Sequence, residues 1–205
     1  KNLDTVFSGM ITNGQNSYSI RPASIIKVGT GRLTLTGLSP YTGSTTVESG
    51  TLQVDGQITA SPITVIGGAL AGNGSIGGAV VIGSGATLSP GASIGQLTMT
   101  SSLQLDFGST NYFEIDKANG TNDAILGLAS VSYSGDLIVT NLGGTLAAGD
   151  TFVLFASTPG TYFGAFNSLT LPTLPTGLVW NTDNLLVDGS ISVTGPKLNV
   201  VNNGN

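Results

Sequence analysis

Hydrophobic and polar residues alternate in short segments along the chain. The segment Arg32–Thr36 reads RLTLT, which places its two leucines on one face of a strand and its threonines on the other. The same alternation recurs in four later segments: Thr45–Val47, Thr51–Val54, Ile63–Val65 and Val80–Ile82. No segment shows a sustained 3.6-residue period, so the pattern predicts an all-β chain with almost no helix.

The segments return at a fixed interval. Leu52, Leu70 and Leu88 follow one another every 18 residues, and glycines separate the alternating runs. A repeat of this length is too short for a pair of helices and suits one coil of a β-solenoid, whose corners glycine can turn. We therefore predict a parallel β-helix with coils of about 18 residues. Its inward ladder is predicted to include Leu35, Leu52, Leu70 and Leu88.

Three consecutive segments carry a recognisable motif. They read GTGRLTLTG at 29–37, YTGSTTV at 41–47 and GTLQVDG at 50–56. These resemble the autotransporter-associated β-strand repeat, also called the passenger-associated transport repeat, whose typical wording is GTGTLTLTG, YTGGTTV and GTLQVNG. The chain departs from that wording at Arg32, Ser44 and Asp55, all outward-compatible changes. The resemblance implies a right-handed parallel β-helix exported to the cell surface or beyond, and it implies no enzymatic activity.

Aromatic residues are concentrated in the second half of the chain. Only Phe7, Tyr18 and Tyr41 precede Leu103, and all the other aromatic residues follow it. Larger rings need a wider core. We therefore predict solenoid repeats over 1–102, and wider solenoid coils or an aromatic-rich β cap or sandwich over 103–205.

Both ends of the chain contain further short runs. We predict a strand over Val6–Thr12, a polar turn over Asn13–Asn16 and a second strand over Tyr18–Ile20. Near the other end, Leu185–Val187 and Ser190–Val193 flank an Asp-Gly pair, which predicts a hairpin before the polar end at 201–205.

The composition excludes several function classes. Six basic and eleven acidic residues give a net charge of −5 with no basic cluster, so nucleic acid is not an expected partner. The chain has no cysteine or histidine, which excludes disulfides, thiolate nucleophiles and the common zinc ligands. No apolar run reaches the roughly 18 to 20 residues of a membrane span. With only 8% charged residues, we expect an exported protein in its mature form, at the cell surface or extracellular.

One acidic region deserves consideration as a calcium site. Its members are oxygen-bearing side chains close together in sequence: Asp106, Glu114, Asp116, Asn119, Asn122 and Asp123. Asp116, Asn119 and Asp123 lie in one predicted turn and offer the oxygen ligands that calcium prefers, although the spacing is not that of an EF-hand. The alternative is a solvated face with an Asn-Gly turn. Neither Arg21 nor Arg32 is placed to complete a polysaccharide lyase site with this cluster.

Aromatic side chains could form a platform that stacks on sugar rings. The candidates are clustered in the second half: Phe152, Phe155, Tyr162, Phe163, Phe166 and Trp180. Because Phe152–Phe155 is continuously apolar, the run also fits a buried strand. Tyr162 and Trp180 are the rings that we would test first.

Three function classes follow from these observations. We favour a non-catalytic extracellular structural module that self-associates end to end into fibres by strand addition or coil stacking. The donor strand would present Val6, Phe7, Met10 and Ile11, which need burial that one short strand cannot supply. An adhesive module that binds polysaccharide is the alternative, and a polysaccharide-cleaving enzyme comes third.

Overall fold

The computed structural model describes residues 3–16, 19–157 and 161–195, and they form a stack of β coils. We number the strands β1 to β27 in chain order. Successive coils place one strand in each of three parallel sheets, so the hydrogen bonds run between coils. This arrangement is a parallel β-helix and confirms the fold predicted from the sequence.

Sheet I contains eight strands along its main path and one short antiparallel strand, β18, beside β17. Its strands are β1 (Thr5–Phe7), β5 (Arg32–Leu35), β8 (Thr51–Val54), β11 (Ala69–Gly72), β14 (Thr87–Pro90), β17 (Thr110–Asp116), β18 (Thr121–Asn122), β21 (Asp136–Asn141) and β25 (Ser168–Thr170).

Sheets II and III form the other two sides of the coils. Sheet II contains β4 (Ile25–Lys27), β7 (Thr45–Val47), β10 (Ile63–Val65), β13 (Val80–Ile82), β16 (Ser102–Leu105), β20 (Ser130–Tyr133) and β24 (Tyr162–Gly164). Sheet III contains β6 (Leu38–Ser39), β9 (Gln57–Ile58), β12 (Ser75–Ile76), β15 (Gln96–Met99), β19 (Ala124–Leu128) and β23 (Phe155–Ser157).

The central leucine ladder is buried as predicted, but its first member differs. Leu52, Leu70 and Leu88 are fully buried and lie directly above one another in sheet I. The residue that pairs with Leu52 is Leu33, whereas Leu35 is buried in the neighbouring ladder and pairs with Val54. The reason is that the first coil is 19 residues long, one more than the repeat that follows.

Coils become longer toward the C-terminal end. The ladder steps from Leu88 to Asn111, then to Leu137 and Leu169, so the coil lengthens from 18 to 23, 26 and 32 residues. Rings fill the wider core, with centroids 4.7 Å to 6.3 Å apart, and the members are Phe113, Tyr133, Phe155, Tyr162 and Phe166. The division at residues 102 and 103 stays a prediction.

A small antiparallel sheet follows the long coils. It consists of β22 (Thr151–Val153), β27 (Ser190–Thr194) and β26 (Val179–Asn181), with β27 in the centre. The hairpin predicted around Asp188 is wrong in its first arm, because Asp183–Leu186 forms a short 3-10 helix. Both edges of β27 are already paired, and Leu185 is buried next to Tyr133, whose hydroxyl donates to its carbonyl oxygen at 3.1 Å.

The N-terminal segment also differs from its prediction. The strand expected over Val6–Thr12 spans only Thr5–Phe7, because the chain leaves sheet I at the corner where Gly9 packs against Gly37. The predicted turn is a strand, β2 (Gly14–Asn16), which pairs antiparallel with β3 (Ser19–Arg21). Tyr18 of the predicted second strand and the polar end at 201–205 lie outside the described residues.

Candidate binding surface

The turn that was predicted to bind calcium is held by its own side chains. The carboxylate of Asp116 accepts hydrogen bonds from the side-chain amide of Asn119 at 2.6 Å and from its backbone N–H at 3.2 Å. This is a local turn between the paired strands β17 and β18. Asp116 and Asn119 therefore come together as predicted.

Asp123 lies in a different environment from the other two candidates. It is 1% exposed, and its two carboxylate oxygens accept the backbone N–H groups of Gly95 at 2.7 Å and Glu114 at 2.8 Å. Burial raises the pKa of this carboxyl to about 7, against the opposing effect of the two hydrogen bonds. Within the described residues no group of three or more acidic side chains is arranged as a metal site, and calcium binding stays a prediction.

The remaining members of the acidic region are dispersed by the fold. Asp106 accepts a hydrogen bond from the amide of Gln104 at 2.7 Å. Asn122 donates to the backbone carbonyls of Asp123 and Val153, at 2.7 Å and 2.8 Å, so its amide connects β18 to β22. Glu114 lies on the outer face of sheet I, where it borders an open depression described below.

A single ion pair between described side chains stands near this region. The ammonium of Lys117 lies 2.5 Å from a carboxylate oxygen of Asp150, which also accepts the backbone N–H of Ala147 at 2.9 Å. The hydrogen bond from Lys117 lowers the pKa of Asp150. The pair joins the turn after β17 to the loop before β22, which is a structural role.

The aromatic residues mostly serve the core. Phe155 is fully buried and Phe152 is 5% exposed, as the buried-strand interpretation predicts. The hydroxyl of Tyr162 donates to the carbonyl of Phe155 at 3.1 Å, and the indole N–H of Trp180 donates to the carbonyl of Pro172 at 2.8 Å. Both rings also pack against other rings, so the structure uses them to hold the C-terminal coils together.

The predicted self-association residues lie at the N-terminal end of the stack. Val6, Phe7 and Met10 are 67%, 40% and 61% exposed, while Ile11 is partly buried against the core. Strand β1 pairs with β5 on one edge, and no other described strand pairs with its second edge. The apolar side chains and the free edge are thus located together.

Sequence reasoning missed an open depression of about 270 Å³ on the outer face of sheet I. Because Leu70 and Leu88 point into the core, the adjacent Ala69, Ala71 and Ser89 point outward, and they form a floor of small side chains. Arg32 from β5 and Glu114 from β17 line opposite ends of the series of strands. The available signal was the pair of outward departures from the repeat wording, at Arg32 and Asp55.

The geometry defines the class of protein before any comparison is made. Sheets stacked around an aliphatic core, with small polar side chains outside, form a β-helix that offers an elongated outer surface. Comparison with known proteins makes this more specific. Residues 25–54 match the family model described as Passenger-associated-transport-repeat.

A curated relative extends the similarity beyond this repeat. Over 139 residues, or 62% of this chain, the sequence is 38% identical to a Brucella suis biovar 1 (strain 1330) protein named "Adhesin BmaC autotransporter". The chain spans 4% of the length of that relative. The chain is therefore an autotransporter passenger-like repeat protein, as its motifs indicate, and both similarities point to the cell surface or the extracellular space. Among the described residues, no helix has the length and apolar character needed to cross a bilayer.

Proposed function

We propose that this chain is a non-catalytic adhesive module of a surface-displayed passenger. The observation that carries the proposal is the outer face of sheet I, where small neutral side chains and an open depression cover several successive coils. The similarity to a protein named as an adhesin supports the same function. The sheet behind this face is paired on both edges of its inner strands, so the surface is rigid.

The chemistry of the chain supports a binding role rather than a catalytic one. It contains no histidine or cysteine, and serine and threonine hydroxyls need a neighbouring base to become nucleophiles. Asp123, whose pKa is raised to about 7, is buried and uses both carboxylate oxygens for backbone hydrogen bonds. A group held in this way stabilises a loop and is not accessible to a substrate.

Adhesion can be measured with the purified chain on beads. Beads that carry the chain should adhere to surfaces coated with polysaccharide more than beads that carry heat-unfolded chain at the same density. Adhesion no stronger than that of the unfolded control, on a panel of neutral and acidic polysaccharides, would contradict the proposal. Release of reducing or unsaturated sugar during the assay would contradict its non-catalytic part.

End-to-end self-association is a second candidate, and the N-terminal end of the stack supports it. The free edge of β1 and the exposed Val6, Phe7 and Met10 would be covered if a second copy added a strand or coil there. Removal of residues 1–13 should then reduce the particle size measured by light scattering. A monomeric profile for both the intact and the truncated chain would eliminate fibre formation.

A further inference from the structure

We propose that the depression on the outer face of sheet I binds a short acidic oligosaccharide, with a sugar carboxylate on Arg32 and the rest of the ligand extending toward Tyr112. This inference rests on the proposed adhesive function and assigns it a site and a ligand class. No residue of the depression belongs to the aromatic or acidic groups for which the sequence predicts sugar or calcium binding, except Glu114.

The shape of the depression suits a chain of a few sugar rings. Its lining comes from five successive strands of sheet I, β5, β8, β11, β14 and β17. Four steps between adjacent strands at about 4.8 Å give a length of about 19 Å. The floor of Ala69, Ala71 and Ser89 is low, so a ligand can lie along the stacking direction of the coils.

The two ends of the depression carry opposite charges. Arg32 is exposed, and its guanidinium forms no ion pair with any carboxylate in the described part of the chain. A free guanidinium is a planar, bidentate partner for a carboxylate. Glu114 at the other end would repel a second acid and can accept hydrogen bonds from sugar hydroxyls. The charges therefore define the direction in which an acidic sugar chain lies.

Two side chains between these ends are held in place by neighbours outside the depression. The amide of Gln53 donates to Asp55 at 2.5 Å, and the hydroxyl of Tyr112 donates to Thr140 at 3.0 Å. An amide and an aromatic ring of fixed orientation provide a hydrogen-bonding group and a stacking surface at a low entropic cost. Such groups are the polar and aromatic contacts that a sugar-binding site needs.

The departures from the repeat wording meet at this site. Arg32 lines the depression directly, and Asp55 holds Gln53, which also lines it. Both replace residues of the typical repeat without any change to the inward ladder. Two of the three departures thus contribute to one surface feature, which a purely structural repeat would not require.

Other ligand classes fit the depression less well. The strands under it, β8, β11 and β14, are hydrogen-bonded on both edges, so no backbone groups are free to take up a peptide strand. A chain with a net charge of −5 and one arginine at this site cannot neutralise a run of phosphates. A sugar carboxylate with neighbouring hydroxyls matches one guanidinium and neutral surroundings.

Calorimetric titration of the intact chain with two probes tests the inference. The probes are a trimer of α-1,4-linked galacturonic acid and the neutral trisaccharide maltotriose. Arg32→Gln removes the charge, and its matched control is Arg21→Gln, which changes the other arginine of the chain. Ala71→Leu fills the floor, and its control is Thr170→Leu, on an exposed strand of the same sheet outside the depression.

The acidic trimer should bind more tightly than maltotriose. Arg32→Gln should weaken its binding about fivefold, as expected for an exposed ion pair, and Ala71→Leu should weaken it at least about tenfold by occupying the site. Both controls should bind like the parent. No binding of the acidic trimer, or unchanged binding after Ala71→Leu, overturns the site. Equal affinity for both probes, unaffected by Arg32→Gln, overturns the acidic ligand.

The bead assay separates this inference from the proposed function. If beads carrying Ala71→Leu adhere as well as the parent, the adhesive function stands and the depression is not its site. If the parent itself does not adhere but binds the acidic trimer in an Arg32-dependent way, the site stands and the adhesive role fails. A melting curve like that of the parent shows that each variant is folded.

Discussion

The carboxylate of Asp123 holds the backbone of Gly95, which lies 28 residues earlier and one coil away in the stack. The other oxygen of the same carboxylate accepts the N–H of Glu114, so one buried acid connects three segments. The loop at 91–95 that it anchors also borders the depression on sheet I. This contact connects the pH dependence of stability to the geometry of the candidate binding surface.

Stability should decrease between about pH 5 and pH 8 because of Asp123. Its pKa is raised in the folded chain to about 7, so the folded state holds a proton that the unfolded state has lost above about pH 4. The destabilisation is absent below that unfolded pKa and complete above the folded one, with a size of a few kcal/mol. No histidine titrates in the same window. Thermal melts across this range measure the slope.

Replacement of Asp123 provides the control for this pH effect. Asp123→Asn should show a flatter dependence between pH 5 and pH 8, and it should be less stable than the parent at pH 5 because its NH₂ group faces a backbone donor. Asp183→Asn, at an exposed position, should keep the parent slope. A parent slope retained in Asp123→Asn would show that another group is responsible.

Loss of the central ladder residue should strongly destabilise the fold. Leu70→Ala leaves a cavity between Leu52 and Leu88 and should cost about 2 to 5 kcal/mol of unfolding free energy. Leu70→Asp should yield unfolded or insoluble protein, because it buries an unpaired charge. Thr64→Ala, on the exposed face of β10, should change stability by less than about 0.5 kcal/mol. Denaturant titration distinguishes these cases, and a Leu70→Asp variant that melts like the parent would contradict the register.

Two glycines separate the effect of backbone conformation from that of close packing. Gly68 and Gly85 have φ of +73° and +77°, and a Cβ at Gly68 would overlap the carbonyl oxygen of Gly50, whereas a Cβ at Gly85 would meet nothing within 4 Å. Gly85→Ala should therefore cost about 1 kcal/mol from φ strain alone. Gly68→Ala should cost clearly more, since neighbouring coils must move apart. Equal losses in chemical denaturation would show that coil spacing does not depend on this corner.

The buried hydroxyl of Tyr133 should matter for the C-terminal end. Tyr133→Phe removes the donor to the carbonyl of Leu185 and leaves that oxygen unpaired in the core, at a cost of about 1 to 3 kcal/mol. Hydrogen exchange should accelerate in β27 and the adjoining 3-10 helix, and the coils around Leu70 should be unaffected. Exchange that accelerates uniformly would show that the small antiparallel sheet unfolds together with the whole stack.

The sequence by itself determined the architecture of the N-terminal coils. The alternation of residues identifies inward positions such as Leu52 and Leu70, and the 18-residue spacing identifies the layers. Both signals are local or strictly periodic, and a parallel stack of equal coils repeats the same pairing at every step. The repeat motif adds the passenger-like class for the same reason.

Only the tertiary structure decided the features that depend on coil length. A one-residue difference in the first coil moves Leu33 rather than Leu35 onto Leu52, and alternation cannot reveal it because both leucines point inward. In the longer coils, partners such as Asn111 and Leu137 are 26 residues apart and have no repeated motif to align them. The hairpin prediction around Asp188 fails because distant strands occupy both edges of β27. Likewise, Asp123 and Glu114 look alike as acids in a sequence, and only the packing of neighbouring coils buries one and leaves the other at a surface depression.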